Sequence, residues 1–235
     1  MRNIISFHLA ILCLSMETKI NYFLISRREL IGIDKLEKKP KLLLHACCGP
    51  CACFPLIDLC PHFDVTIYFN NSNIYPESEY ARRLNELKKL LEYIKNDYGY
   101  KIDLIVTPYD NDKYNLDLEP YKGLPEGQTR CFICYEKRMD DAYRFASNNG
   151  FDYFTTVMTI SRQKNSQILN KIGEKLSKKY PNVKYFFSDF KKNKGIDIAR
   201  EMRIHYNLYQ QLYCGCKYTY EKGLKKLEER NHESN

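Results

Sequence analysis

Hydrophobic positions in this chain fall into short compact runs that alternate with longer periodic stretches. The runs are Lys41 to Leu44, Phe63 to Phe69, Lys101 to Val106, Tyr153 to Met158 and Val183 to Phe187. Their length and their β-branched and aromatic content predict five strands. Between them, apolar residues recur three and four apart. From Glu79 to Asp97, Leu84, Leu87, Leu90, Leu91 and Ile94 make the apolar stripe of a long helix. Further helices are predicted from the Gly49-Pro50 turn to about Cys60, from Arg130 to about Asn148, after Asn165 to about Lys179, and from Ile196 to Tyr209. Pro61 and Gly150 supply two of the stops. A short helix over Arg27 to Leu36 leads into the first strand, and a charged one follows Tyr220. Tyr114 to Thr129, punctuated by Pro120, Gly123, Pro125 and Gly127, reads as irregular. Strands alternating with helices predict an α/β fold, a parallel sheet of about five strands with helices on both faces.

The ten cysteines add chemistry to this frame. Seven form three tight groups: Cys47/Cys48/Cys51, Cys131/Cys134 and Cys214/Cys216. Such spacings are too short for a stapling disulfide framework and suit metal ligation or redox exchange. Cys13, Cys53 and Cys60 lack such spacing and read as small apolar residues or surface thiols. The first group follows a strand, where a nucleotide-binding protein would place phosphate-admitting glycines, so a metal is the expected ligand there. A structural zinc site could use Cys48/Cys51 with Cys131/Cys134 but leaves Cys47 and the last pair idle. A radical S-adenosylmethionine site fails, because Phe54 stands where its third cysteine is needed. An iron–sulfur cluster needs about four thiolates from converging loops, and seven are offered. The Cys214-Gly215-Cys216 pair is suited to a labile disulfide or to two further metal bonds. His45 reads as a proton donor or a structural residue, and Asp189 as a functional carboxylate or a helix N-cap.

The ends and the charge narrow the setting. Ile4 to Leu14 has the length of a signal-peptide core but is too short to span a bilayer, and no small-residue cleavage site follows. Met16 is an alternative start. With thiols kept reduced or given to metals, a cytoplasmic protein with no membrane partner is expected. The net charge is +8, and residues 162–235 carry 17 Lys and Arg against 8 Asp and Glu. A basic last third suits a nucleic-acid partner or a solvated face.

Several motifs together resemble one family, epoxyqueuosine reductase of the QueH type. They are His45-Ala-Cys47-Cys48-Gly-Pro-Cys51, Asn73-Ile-Tyr-Pro76 with Glu79, Tyr80 and Arg83, and Pro125-Glu-Gly127 before Arg130-Cys131-Phe-Ile-Cys134-Tyr-Glu-Lys-Arg138. Gly150-Phe-Asp-Tyr-Phe-Thr-Thr156, Asp189-Phe-Lys-Lys192 and Tyr213-Cys-Gly-Cys216 complete the set. The resemblance covers about Lys41 to Tyr218. It departs from the family at Ser72, Gln128 and Arg162, where Pro, Gly and Pro are usual. It implies an adenine-nucleotide α-hydrolase-like (HUP-like) scaffold with a cysteine-rich metal site at the carboxyl edge of the sheet. It also implies reduction of epoxyqueuosine to queuosine at the tRNA wobble position, using a [4Fe-4S] cluster, a neighbouring mononuclear iron and an electron donor.

By position, the resemblance makes Cys47, Cys48, Cys131 and Cys134 the cluster ligands and Cys214 and Cys216 a redox-active pair. Cys51 is left for the second metal. Asp189 is a candidate catalytic carboxylate, and Lys191, Lys192 and Asn73 are candidate substrate contacts. The expected organisation is an extension over 1–40, a catalytic α/β domain over 41–220 and a charged tail over 221–235. Two rival readings remain. An ATP-pyrophosphatase-like tRNA-thiolating enzyme lacks its Gly/Ser-rich loop here, and a zinc-stapled RNA-binding module would have no catalysis.

Overall fold

A computed structural model describes residues 19–233. Strands β1 (Lys41–His45), β2 (Asp64–Phe69), β3 (Asp103–Val106), β4 (Tyr153–Thr156) and β5 (Lys184–Tyr185) form one sheet in the order β3-β2-β1-β4-β5. Every pairing is parallel, so the expected sheet is present. The chain runs outward from β1 to β3 and then restarts at β4 on the other side of β1. That reversal opens a crevice beyond the carboxyl ends of β1 and β4, where α/β proteins gather ligands.

Burial follows the pleat. Leu42 and Leu44 face one core cluster and Leu43 the other, and all three are fully buried, as a central parallel strand requires. Helices α1 (Tyr22–Ile33), α2 (Gly49–Leu59), α3 (Glu77–Tyr98) and α7 (Gly195–His205) contribute to the first cluster. Helices α5 (Thr129–Asn148) and α6 (Ser166–Lys179) contribute to the second. A Cβ at Gly49 would lie 2.8 Å from the Glu86 carbonyl oxygen, so glycine lets α2 cross α3 closely.

Several boundaries differ from the sequence reading for local reasons. The stretch read as irregular, Tyr114 to Thr129, opens on the end of α4 (Asn111–Asn115) and holds a 3₁₀ helix over Leu116–Tyr121. The Asp110 side chain caps α4 by accepting from the Lys113 N–H, and one such cap organises a turn too short to show periodicity. Strand β4 stops at Thr156, whose hydroxyl oxygen accepts from the Met158 N–H and turns the chain into a 3₁₀ helix over Val157–Ile160. Helix α7 ends at His205, four residues earlier than expected, and α8 (Lys217–Glu233) starts before Tyr220.

Helix α1 lies within the stretch read as an extension, yet it packs on the domain. Leu30 and Ile33 enter the core, Tyr22 stacks on Phe187 at 5.4 Å, and Arg27 donates to Asp58 at 2.8 Å. The apolar run over 4–14, Met16 and Cys13 lie outside the described residues. Among the described residues, no helix is long and apolar enough to cross a membrane.

Candidate metal centre

The chain leaves β1 at His45 and enters α2 at Gly49, and this tight passage gathers the first thiols. The Sγ atoms of Cys47, Cys48 and Cys51 all lie within 4.8 Å of one another. His45 is fully buried behind them, its Nδ1 2.8 Å from the Thr156 hydroxyl and its Nε2 without a partner. Burial, with the charge of Arg138, holds its pKa down at about 3, so the imidazole is neutral.

The second group sits in the first turns of α5. Cys131 and Cys134 are both buried. The Gly127 N–H donates to Cys131 Sγ at 3.2 Å, and the Tyr114 hydroxyl donates to Cys134 Sγ at 3.3 Å. The third group lies in the loop before α8. Arg83, paired with Glu79 at 2.7 Å, donates to the carbonyls of Cys214 (3.1 Å) and Tyr213 (3.2 Å). The Tyr75 N–H donates to the Gly215 carbonyl at 2.7 Å. Gly215 has φ 114°, a region that favours glycine, and a Cβ there would meet Arg83 Nη1 at 2.8 Å. The nine described cysteines, Cys214 and Cys216 among them, are free thiols.

Electrostatics ties the three groups together. Hydrogen bonds from Cys48 and Cys51 hold the Cys47 thiol well below its ordinary pKa, against burial and with help from Lys164 and Arg138. A hydrogen bond from Cys216 does the same for Cys214, with help from Lys164, Arg138 and Arg83. The hydrogen bond to Cys47 pushes Cys51 up to about 12. Lys164 is opposed by burial, but Cys214, Cys47, Tyr135 and Cys51 keep it protonated. Arg138 is likewise opposed by burial and held charged by the sulfurs of Cys134, Cys47 and Cys214. Thiols from all three groups therefore act on Arg138, and thiols from the first and third act on Lys164.

Of the other predicted residues, Asp189 and Lys191 have partners of their own outside the thiol groups. Asn73 is buried, with its Oδ1 unpartnered. Asp189 accepts from the Ser166 hydroxyl at 3.0 Å and faces Lys191 Nζ at 3.5 Å. It caps no helix: Asn165 caps α6, and Lys194 precedes α7. Lys191 donates to the carbonyls of Thr159 (3.0 Å) and Lys164 (3.2 Å), which turns its charge inward. Lys192 is exposed beside it. Both lysines, with Arg162, Lys164 and Asp189, line a cavity of about 470 Å³. A second cavity, of about 280 Å³, exposes Cys51 beside Arg162, Arg200, Arg203 and Gln211.

Arg83, Tyr114, Arg138, Lys164 and Gln211 join the site without a role having been assigned to them from the sequence. Gln211 Nε2 donates to Cys48 Sγ at 3.1 Å, from a loop no motif marks. Arg138 carried a signal, lying four and seven residues after Cys134 and Cys131 and hence on the same face of α5. Soft thiolates from several segments suit zinc or an iron–sulfur cluster and offer little to hard cations.

Comparison with known proteins identifies the family. The chain is 39% identical over 204 residues to the epoxyqueuosine reductase QueH of Staphylococcus epidermidis, covering 86% of this chain and 85% of that protein. It is 37% identical to the Staphylococcus aureus protein of the same name, covering 86% and 84%. The Streptococcus pyogenes protein of that name is 37% identical, with 86% and 78% covered. Among solved structures, the U34-tRNA thiolase NcsA from Methanococcus maripaludis with its [4Fe-4S] cluster aligns at 14% identity and a TM-score of 0.47. The alignment covers 91% of this chain and 74% of that one. The family described as "Epoxyqueuosine reductase QueH" matches residues 42–222, the stretch that carries all three thiol groups and the sheet beneath them, so this chain belongs to that family.

Proposed function

We propose that this protein reduces epoxyqueuosine in tRNA to queuosine. The observation that carries the reading is the close gathering of Cys47, Cys48 and Cys51 at the carboxyl end of β1, with Cys47, Cys134 and Cys214 all acting on the buried Arg138. Removing the oxygen of an epoxide to leave an alkene takes two electrons and two protons and releases water. The Cys214/Cys216 pair holds the electrons. Joining the two sulfurs in a disulfide releases two electrons and the Cys216 proton, Lys164 Nζ gives the second proton, and an external reductant with protons from solvent then restores the pair.

An all-thiol donor set fits a [4Fe-4S] cluster held by Cys47, Cys48, Cys131 and Cys134. Such a cluster supplies single-electron transfer when bound, and Cys51, open to the 280 Å³ cavity, is the thiol left for a second iron. The residues of the chain supply the rest. Arg83 fixes the Cys214–Cys216 loop through two carbonyls. Burial, with the charge of the neighbouring Cys134 thiol, raises the Tyr114 pKa and keeps that hydroxyl protonated. Lys164 lies between the thiols and the cavity of Lys191 and Lys192, and holds a proton at Nζ. The Cys51 cavity, with Arg162, Arg200 and Arg203 on its rim, suits an unstacked nucleoside whose flanking phosphates meet the arginines. Asp189 is assigned to hold Lys191 in place, with any proton transfer secondary to that.

Metal analysis of anaerobically purified protein tests the reading. Iron with acid-labile sulfide and visible colour is expected. One zinc per chain and no colour would support the stapled RNA-binding module instead.

The RNA surface has its own expected result. Arg200→Glu combined with Arg203→Glu weakens tRNA binding and flattens its salt dependence by roughly one unit of slope per lost phosphate contact. Filter binding across a salt series measures it, and an unchanged slope returns both arginines to a solvated face.

A further inference from the structure

Arg138 is a buried cation without an acid. Its side chain lies on α5 with Cys131 and Cys134, and the residue is 2% exposed. One Nη donates to Met158 Sδ at 2.9 Å, the other reaches Asn71 Oδ1 at 3.5 Å, and Nε has no partner. Among the described residues, no carboxylate comes within 4.0 Å of it. Arg83, buried to the same degree, shows what a compensated arginine looks like here, with Glu79 at 2.7 Å. A guanidinium taken out of water without a counter-ion is strongly unfavourable unless other negative charge stands near it. The sulfurs that act on Arg138 most are those of Cys134, Cys47 and Cys214.

We infer that Arg138 is the fixed counter-charge of the thiol centre and sets how readily that centre accepts an electron. The inference rests on the proposal that these thiols hold iron. A thiolate-ligated centre becomes more negative when reduced, and a nearby cation screened from water stabilises the reduced form more than the oxidised one. Lys164 borders an open cavity, and Arg83 is neutralised by Glu79. Arg138 has neither limitation. Its unpartnered Nε and neutral contacts leave its charge uncompensated, four residues after Cys134 and seven after Cys131 on the same helix. It is a positioning residue for charge and transfers no atom.

The test is a redox titration of the iron-loaded protein, with dithionite as the electron source and electron paramagnetic resonance of the reduced centre as the readout. At the wild-type midpoint, Arg138→Met is expected to lower the ratio of reduced to oxidised centre about tenfold, or ~59 mV for a one-electron couple. Arg138→Lys, which keeps the charge, should stay within about twofold of wild type. Asn71→Asp sets a carboxylate against the guanidinium while leaving Arg138 in place, and should lower the ratio in the same direction. That variant answers the question even if Arg138→Met does not fold. Iron-loaded Arg138→Met and Asn71→Asp with the wild-type ratio would overturn the inference and leave the proposed function standing. Wild-type protein that takes up no iron would overturn the proposed function, and the inference with it.

Discussion

Replacing Cys131 or Cys134 by Ala is expected to leave a folded protein with no iron. Both thiols are buried at the start of α5, and each Sγ accepts one hydrogen bond, from the Gly127 N–H and the Tyr114 hydroxyl respectively. Removing one buried sulfur costs about 1 kcal/mol or a little more, well within what a domain of this size tolerates. Helix α5 keeps its hold on the sheet through Met139, Ala142, Tyr143 and Ala146, all fully buried. An iron–sulfur cluster deprived of one thiolate is open to solvent and readily lost. Iron and acid-labile sulfide, measured beside far-ultraviolet circular dichroism, check both halves of the expectation. Full iron content in both variants would remove α5 from the metal centre.

Cys214→Ser and Cys216→Ser are expected to separate metal content from turnover. Arg83 and Tyr75 hold this loop through backbone atoms, so a serine side chain leaves its frame unchanged. Iron should therefore stay near the wild-type level. Turnover should fall by more than about a thousandfold, the order seen when a group that itself changes bonding is removed. The assay is iron per chain together with activity on epoxyqueuosine-containing tRNA. Iron lost in step with activity would make these sulfurs metal ligands, and retained activity would leave the pair without the proposed role.

The sheet was legible because its strands are short, apolar and separated by long periodic helices. Three consecutive leucines, Leu42, Leu43 and Leu44, already mark a strand buried on both faces, since alternation would leave one face polar. The thiol groups were legible for a related reason: local spacing alone sets them apart. What escaped the sequence is what depends on burial. Glu79 and Arg83 stand in the sequence only as members of a motif, yet they form a buried pair that reaches across to the Cys214 loop. Lys191 reads as one of a basic cluster, yet its ammonium turns inward onto two carbonyls. The capped turns of 111–121 escaped because a single Asp110 side chain, invisible to periodicity, organises their start.

The spacing of the thiols along the chain also has a bearing on biosynthesis. Cys47, Cys48 and Cys51 leave the ribosome early, with β1, whereas Cys214 and Cys216 emerge only after β5 and α7. At typical synthesis rates the interval is roughly ten to thirty seconds. Strand β1 needs β4 beside it to complete its parallel pairing, and β4 arrives about two-thirds of the way through the chain. Through that interval the nascent chain offers three closely spaced thiols before the Cys214 loop has been made. Metal content is therefore expected to differ between protein supplied with ions during synthesis and protein supplied with them after chain release.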